Sequence, residues 1–198
     1  MWPFCFSASS ICLTMKTRLI IAGSAVVCLL ASLVVVKLLF PPKFEGGELM
    51  KGPFFSYPRY RGVLPAVDFG ANGQYSTVFR GFPVGDAWIE LELSDKTIND
   101  LNSLKAMNTV IAVRLAREDG KTICNASGRL SQISGVTEHQ WVLTGNSQNA
   151  RLWNSDCVDL KLNPHTGYTM TITVRDADAK ASRFVVRPLL VGGGTELP

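Results

Sequence analysis

Residues Tyr168–Arg175, YTMTITVR, decide the fold. Apolar or aromatic side chains stand at positions 168, 170, 172 and 174, and three threonines and an arginine alternate with them. Successive side chains of an extended chain point to opposite faces, so this period of two is typical of a strand with one buried face. The stretch predicts a half-buried strand in an antiparallel sheet.

Similar patterns extend outward from this strand. Thr109–Ala116 is apolar almost throughout, which predicts a central strand, and residues 118–121 (EDGK) have the turn chemistry of a hairpin. The further predicted strands are Ala87–Leu93, a return strand through Ile123 and Cys124, His139–Leu143, Leu152–Trp153, Val158–Leu162 and Phe184–Val191. The predicted fold class is therefore mainly β, an antiparallel β-sandwich of immunoglobulin-like or jelly-roll-like type.

One segment departs from this pattern. Asp95–Met107 spaces Ile98, Leu101 and Leu104 three residues apart, and Ser94 or Asp95 can cap the first turn. We expect one short helix here, crossing an open end of the sandwich.

The turn that precedes the deciding strand has a recognisable form. Leu162–Tyr168, LNPHTGY, contains proline and glycine and ends in tyrosine. This arrangement resembles the tyrosine corner of Greek-key sandwiches, in which the tyrosine hydroxyl bonds back to the preceding turn. The resemblance implies a structural role for Tyr168 and says nothing about activity.

The amino-terminal part of the chain has a different character. Leu19–Phe40 is a run of 22 residues with a single charge, Lys37. A helix of this length covers roughly 33 Å, enough for a hydrocarbon core of about 30 Å. The run is longer than the core of a cleaved signal and lacks a small-residue cleavage site, so we predict a retained single-pass anchor. Residues 1–18 are then a short cytoplasmic segment, of which 1–14 are alternatively an artefact of the start site, since Met15 begins like an export signal.

The segments after the anchor differ in composition. Residues 41–65 contain five prolines and four glycines, which predicts a tether. Residues 66–191 hold the predicted sandwich, and residues 192–198 (GGGTELP) are predicted to be a flexible tail.

The charge balance argues against nucleic acid as a partner. All 16 acidic residues and 17 of the 20 basic residues follow Phe40, so the domain carries 17 − 16 = +1. A nearly neutral domain lacks the basic stripe that nucleic-acid binding requires.

The cysteines indicate a compartment. Of five cysteines, only Cys124 and Cys157 lie in the predicted domain. A single pair predicts a disulfide in an oxidising compartment, and two free thiols in a cytosolic domain are the alternative. Lys16 and Arg18 before the anchor favour a cytoplasmic amino end. The predicted location is a bacterial inner membrane, with the domain in the periplasm or another extracytoplasmic space.

No pattern that carries chemistry is present. The sequence has no nucleophile motif, no phosphate-binding glycine loop and no His/Cys cluster at metal-ligand spacing. His139 and His165 stand alone, and the acidic pairs 90/92 and 176/178 are interpreted as solvated strand faces and turns. We therefore predict no catalytic, cofactor or metal site, and no enzymatic activity.

The tryptophans are the remaining candidates for a site. Trp88, Trp141 and Trp153 are predicted as a possible binding surface, with Trp88 pointing outward beside Glu90 and Glu92. The alternative is that these tryptophans are core residues, since tryptophan is usually well buried. Two functions are consistent with the sequence. One is a membrane-anchored module that binds a protein partner in the cell envelope, as an accessory or an inhibitor. The other is a glycan- or cell-wall-binding module that uses exposed tryptophans.

Overall fold

Two antiparallel sheets build the domain. The computed structural model describes residues 43–52, 60–94, 105–133, 139–144, 150–183 and 185–192. The chain divides into Met1–Pro41 and Pro42–Pro198, and every described residue belongs to the second unit. Within it, one hydrophobic cluster takes side chains from both sheets. This is the arrangement of a β-sandwich, so the mainly β, antiparallel prediction is confirmed.

The large sheet has the strand order β1-β2-β12-β5-β9-β8, with β3 paired to β12 and β10 paired to β5. Its strands are β1 (Glu48–Lys51), β2 (Tyr60–Val63), β3 (Val67–Asp68), β5 (Asp86–Ser94), β8 (Trp141–Thr144), β9 (Ala150–Asn154), β10 (Leu160–Lys161) and β12 (Val185–Gly192). The small sheet has the order β4-β11-β6-β7, formed by β4 (Gly73–Phe79), β6 (Val110–Arg117), β7 (Thr122–Arg129) and β11 (Tyr168–Arg175). The short 3-10 helices are Leu130–Gln132, Ser155–Cys157 and Ala179–Arg183.

Strand β11 has the bounds and the alternation that its sequence predicts. Tyr168, Met170, Ile172 and Val174 are each at most 3% exposed, and the threonines between them are half-buried. The strand lies between β4 and β6, so both of its backbone edges are paired. Its apolar face therefore forms the middle of the small sheet's contribution to the core.

Two cross-links connect the sheets on opposite sides of the sandwich. On one side, the backbone of Glu45 exchanges hydrogen bonds with Arg80 just after β4, and the chain then continues into β1 of the large sheet. On the other side, Cys124 of β7 forms a disulfide with Cys157 after β9, with the Cα atoms 5.3 Å apart. The predicted disulfide is confirmed. By closing this loop, the disulfide reduces the conformational entropy of the unfolded chain and stabilises the fold by about 3–4 kcal/mol in the chain-entropy model.

The predicted tether is part of the domain. β1 and β2 both lie within residues 41–65 and pair with each other, and β2 also pairs with β12. The segment predicted as a tether therefore contains two strands, and its prolines fall outside them and leave their backbone donors intact. The sandwich therefore begins before residue 66.

Other predictions lie wholly or partly outside the described residues. These are the anchor at residues 19–40, the segment 1–18, most of the helix predicted for Asp95–Met107, and the tail after Gly192. In the part of the chain that the structure describes, no helix has the length and apolar character needed to cross a membrane.

The β6–β7 hairpin contains a specific ion pair. Gly120 has φ +84° and its amide donates to the carbonyl of Arg117 at 2.8 Å, so the turn needs a residue that tolerates a left-handed backbone. Asp119 accepts from the Arg117 guanidinium and from the amide of Lys121. The hydrogen bond from Arg117 is the main reason that the pKa of the Asp119 carboxyl falls from its ordinary 3.8 to about 2.

We expect the Asp119 carboxyl to titrate near pH 2 in the folded protein, measured by carbon NMR. Because the folded pKa is lowered, this pair stabilises the fold above the ordinary pKa and loses that contribution as pH falls toward 2. Arg117→Met is expected to return the pKa toward 3.8. Arg114→Met is the control, since Arg114 bonds to Thr122 instead. A normal Asp119 pKa in the unaltered protein would contradict the ion pair.

The turn before β11 is tied to its tyrosine. The amide of Asn163 donates to the hydroxyl of Tyr168 at 2.7 Å, and the Tyr168 ring stacks on Phe79 with centroids 5.5 Å apart. A tyrosine hydroxyl bonded back to the preceding turn is what the resemblance to a tyrosine corner predicts. The bond orients the chain as it enters β11.

Tyr168→Phe is expected to lower the free energy of unfolding by about 1 kcal/mol, because it removes this hydrogen bond and keeps the ring. Chemical denaturation measures the difference. Tyr75→Phe is the matched control, since its hydroxyl donates to the carbonyl of Asp68 at an exposed position. An equal decrease in the free energy of unfolding in the two variants would show that the Tyr168 hydrogen bond stabilises the fold no more than an exposed one does.

Candidate functional site

The outer side of the large sheet carries a charged and aromatic surface, which we call the large-sheet face. Strand register places residues from five strands on this side, away from the core cluster. Its members are Glu48 and Met50 of β1, Arg61 and Val63 of β2, Arg187, Leu189 and Val191 of β12, Trp88, Glu90 and Glu92 of β5, and Arg151 and Trp153 of β9. The face contains three glutamates and three arginines, so its charges balance.

Glu90 lies at the centre of this face. It pairs in register with Leu189 on one side and Trp153 on the other, and only 8% of the residue is exposed. Its Oε1 accepts from the indole Nε1 of Trp88 at 2.8 Å. A carboxylate removed from water in this way requires a compensating charge.

Arg151 supplies that charge. Its Nη1 lies 3.5 Å from Oε2 of Glu90, and its Nη2 lies 3.9 Å from Oε1 of Glu92. The pair is incompletely hydrogen-bonded, because Glu90 Oε2 and Arg151 Nε are buried without a hydrogen-bond partner. Buried polar atoms in this state cost free energy in the isolated protein and are groups that a ligand or a partner can satisfy.

This arrangement corrects one expectation from the sequence. Glu90 was predicted to be solvated on a strand face, and Trp88 was predicted to point outward beside it. Both residues are on the outer face, but Glu90 is buried and Trp88 is half-buried. The reason is that neighbouring strands place Trp153, Leu189 and Arg151 around the carboxylate, which strand alternation alone does not reveal.

A depression of about 380 Å³ lies beside this cluster, across β1, β2, β12 and β5. Met50, which is 53% exposed, and the half-buried Val63 give it apolar surface, and the buried Leu189 also borders it. Its charged lining residues are two acids and two bases, namely Glu48, Glu92, Arg61 and Arg187. The combination is an apolar hollow bordered by charges of both signs.

The three candidate tryptophans do not form one surface. Trp88 and Trp153 lie diagonally across β5 and β9 on the large-sheet face, and both are half-buried. Trp141 is 2% exposed, belongs to the core cluster, and donates its indole N–H to the carbonyl of Ile111 at 3.2 Å. Its side chain joins the two sheets and is not part of an exposed surface.

A separate cavity of about 260 Å³ lies along the end of β7, and we call it the His139 pocket. Polar lining comes from Ser127, Arg129, Gln132, His139 and Gln140. The indole of Trp141 borders it where β7 has Gly128, at which a Cβ atom would approach Trp141 to 2.8 Å.

The backbone of His139 adopts a conformation that is uncommon for a residue other than glycine. Its φ is +65°, a left-handed conformation that costs a non-glycine residue about 1–3 kcal/mol. Two hydrogen bonds hold it there, one from its amide to Ser155 Oγ at 3.2 Å and one between its Nδ1 and Asp156 Oδ1 at 2.5 Å. The sequence predicted a lone histidine at the start of a strand, His139–Leu143, and gave no sign of the aspartate 17 residues away.

Comparisons with known proteins assign no family. Neither a scan of protein-family models nor a search of curated proteins matched this chain. Among the described residues, no group of three or more His, Cys, Asp or Glu side chains is placed to hold a metal ion.

Proposed function

We propose that this chain is a binding module of the cell envelope that engages a protein partner through the large-sheet face. An accessory or inhibitory role fits such a module, which binds and does not catalyse. The proposal includes an anchor at residues 19–40, with the sandwich on the extracytoplasmic side of a bacterial inner membrane. Its apolar run and the Lys16/Arg18 pair before it support that placement.

The disulfide supports the compartment. Cys124 and Cys157 are both buried and joined across the sandwich. Structural disulfides of this kind persist in oxidising spaces such as the periplasm and are rare in the cytosol. An extracytoplasmic domain is therefore the arrangement that keeps this cross-link intact.

One observation carries the proposal of a protein partner: the incompletely bonded Glu90–Arg151 pair lies between two tryptophans. Tryptophan and arginine are enriched at the energetic centres of protein interfaces. A partner can also supply the hydrogen bonds that the buried atoms of the charge pair lack. The adjacent hollow offers apolar surface bordered by charges of both signs, which suits a partner with mixed charge.

A glycan is the second candidate, because two half-buried tryptophans remain on this face. Sugar stacking needs an open aromatic face. Trp88 is held by its bond to Glu90, and Trp153 lies opposite Glu90 in the sheet register. The hypothesis of a protein partner therefore explains more features of the large-sheet face than the glycan hypothesis does, including the charge pair and the adjacent hollow.

Site-specific photocross-linking tests the proposal. A photoreactive residue is introduced into the full chain in its native membranes, at Met50 or Arg187 on the large-sheet face. The matched control position is Val78, which is 66% exposed on the small sheet. We expect one protein adduct of defined mass from positions 50 and 187 and none from 78.

Three other outcomes would count against this proposal. Adducts of equal yield from Val78 and Met50 would indicate non-specific contact. Absence of adducts at every position would contradict the proposal of a protein partner. Co-sedimentation of the chain with insoluble wall material, lost on Trp153→Ala and without a protein adduct, would establish the glycan alternative.

A further inference from the structure

We propose that the His139 pocket is a second binding site, which takes a carboxylate group on a ligand no larger than one sugar or one amino-acid residue. The pocket shares no residue with the large-sheet face, so this inference does not rest on the proposed protein partner. Its volume of about 260 Å³ is below the range of roughly 300–1,000 Å³ that drug-sized ligands occupy.

The chemistry of the lining selects the charge of the ligand. Among the lining residues that the structure describes, the polar side chains are an arginine, a histidine, two glutamine amides and a serine hydroxyl. Arginine matches a carboxylate with two parallel N–H donors, and amides and hydroxyls suit the remaining polar groups of a small ligand.

Arg129 is oriented toward such a role by groups outside the cavity lining. Its Nη1 donates to the carbonyl of Asn108 at 3.2 Å and lies 3.3 Å from the carboxylate of Asp176. Both contacts use Nη1, so the donors on Nη2 and Nε are not used by them. The side chain is 44% exposed, which leaves it accessible to a small molecule.

His139 is held in place in a similar way. The Asp156 carboxylate can only accept, so the Nδ1 atom of His139 is the donor in their 2.5 Å contact. In the neutral ring, Nε2 is then an acceptor, which can meet a hydroxyl or amide N–H group of the ligand beside its carboxylate. A strained residue that the surrounding structure holds in place is a recurrent feature of binding sites, and here both bonds to His139 come from one short segment, residues 155–156.

Titration of the full chain, purified in mild detergent and labelled for amide NMR, tests this site. The probes are glucuronate, N-acetylalanine and, as the uncharged comparison, glucose. We expect the amide signals of Arg129, Gln132 and His139 to shift with at least one of the two carboxylates, with a dissociation constant on the order of 1 mM. Glucuronate alone would identify a sugar acid, and N-acetylalanine alone a peptide carboxylate.

Two variants separate binding from folding. His139→Gly removes the imidazole and relieves the left-handed strain, so it is expected to stay folded and to weaken binding about tenfold. Gln132→Ala, at an exposed position, is expected to weaken binding without loss of structure. His165→Ala is the matched control and should bind as the unaltered chain does.

Any of three results would overturn the proposal. These are no shift at these amides with either carboxylate up to about 50 mM, equal shifts with glucose, or full affinity in His139→Gly.

Discussion

Cys124→Ser is expected to lower the free energy of unfolding by about 3–4 kcal/mol. The disulfide joins β7 of the small sheet to the segment after β9, across a sequence separation of 33 residues. Without it, the unfolded chain regains the conformational freedom that this closed loop removes. Cys157→Ser should have the same effect, because each variant removes the same bond.

The double variant Cys124→Ser/Cys157→Ser distinguishes a disulfide from two independent thiols. If the bond is the source of stability, the double variant should be no less stable than either single variant. Cys28→Ser is the control, since Cys28 lies before the domain, and it should leave domain stability unchanged. Denaturant unfolding gives the free energy of unfolding of the four variants and of the unaltered protein. Additive losses, or no change in gel mobility of the unaltered protein on reduction, would contradict the disulfide.

Arg151→Met is expected to lower the free energy of unfolding by about 2 kcal/mol. The substitution leaves the Glu90 carboxylate, whose side chain is 11% exposed, without its cation. Breaking a fully buried pair costs about 3–5 kcal/mol, and the 23% exposure of the Arg151 side chain admits water that reduces this cost.

Two comparisons make the Arg151 measurement specific. Arg187→Met removes an exposed arginine that pairs in register with Glu92 on the same face, and it should change stability by no more than about 0.5 kcal/mol. Combining Glu90→Gln with Arg151→Met should recover much of the loss, because no uncompensated charge then remains. Equal effects of the two arginine variants would show that Glu90 is solvated in solution.

The loss of partner binding should follow a different pattern from the loss of stability. If the large-sheet face is an interface, Arg187→Met should reduce photocross-linking from Met50 while leaving the fold intact. Arg151→Met should reduce both. This difference separates a residue that acts at the interface from one that also supports the sheet.

Local periodicity was sufficient to predict eight of the twelve strands that the structure describes. β11 has the predicted bounds, and β5, β6, β7, β8, β9, β10 and β12 overlap the predicted segments, because alternation along one strand records which of its faces is buried. The cysteine pair and the tyrosine that begins β11 could also be identified from the sequence, since each is a short-range or compositional signal. β4 was missed: burial alternates along Gly73–Phe79, but the residue types do not, because Gly73 and Thr77 lie on the more buried side and Val78 is exposed.

The strands at the amino-terminal edge of the domain were harder to predict from the sequence. The prolines and glycines of 41–65 predicted a tether, yet β1 and β2 form there between the prolines. Pairing of β2 with β12 joins residues more than 120 positions apart, and β-propensity within a short segment carries little information about such partners.

By itself, the sequence determined the mainly β class, the disulfide partners and the alternation that places Trp88 and Glu90 on one side of their strand. Only the tertiary structure decided that Glu90 is buried beside Arg151, that Trp141 is a core residue, and that His139 meets Asp156. Each of these outcomes depends on a neighbour from another strand or turn. Burial and charge pairing are properties of the assembled sheets, since the free energy of a polar group depends on which distant residues exclude its water.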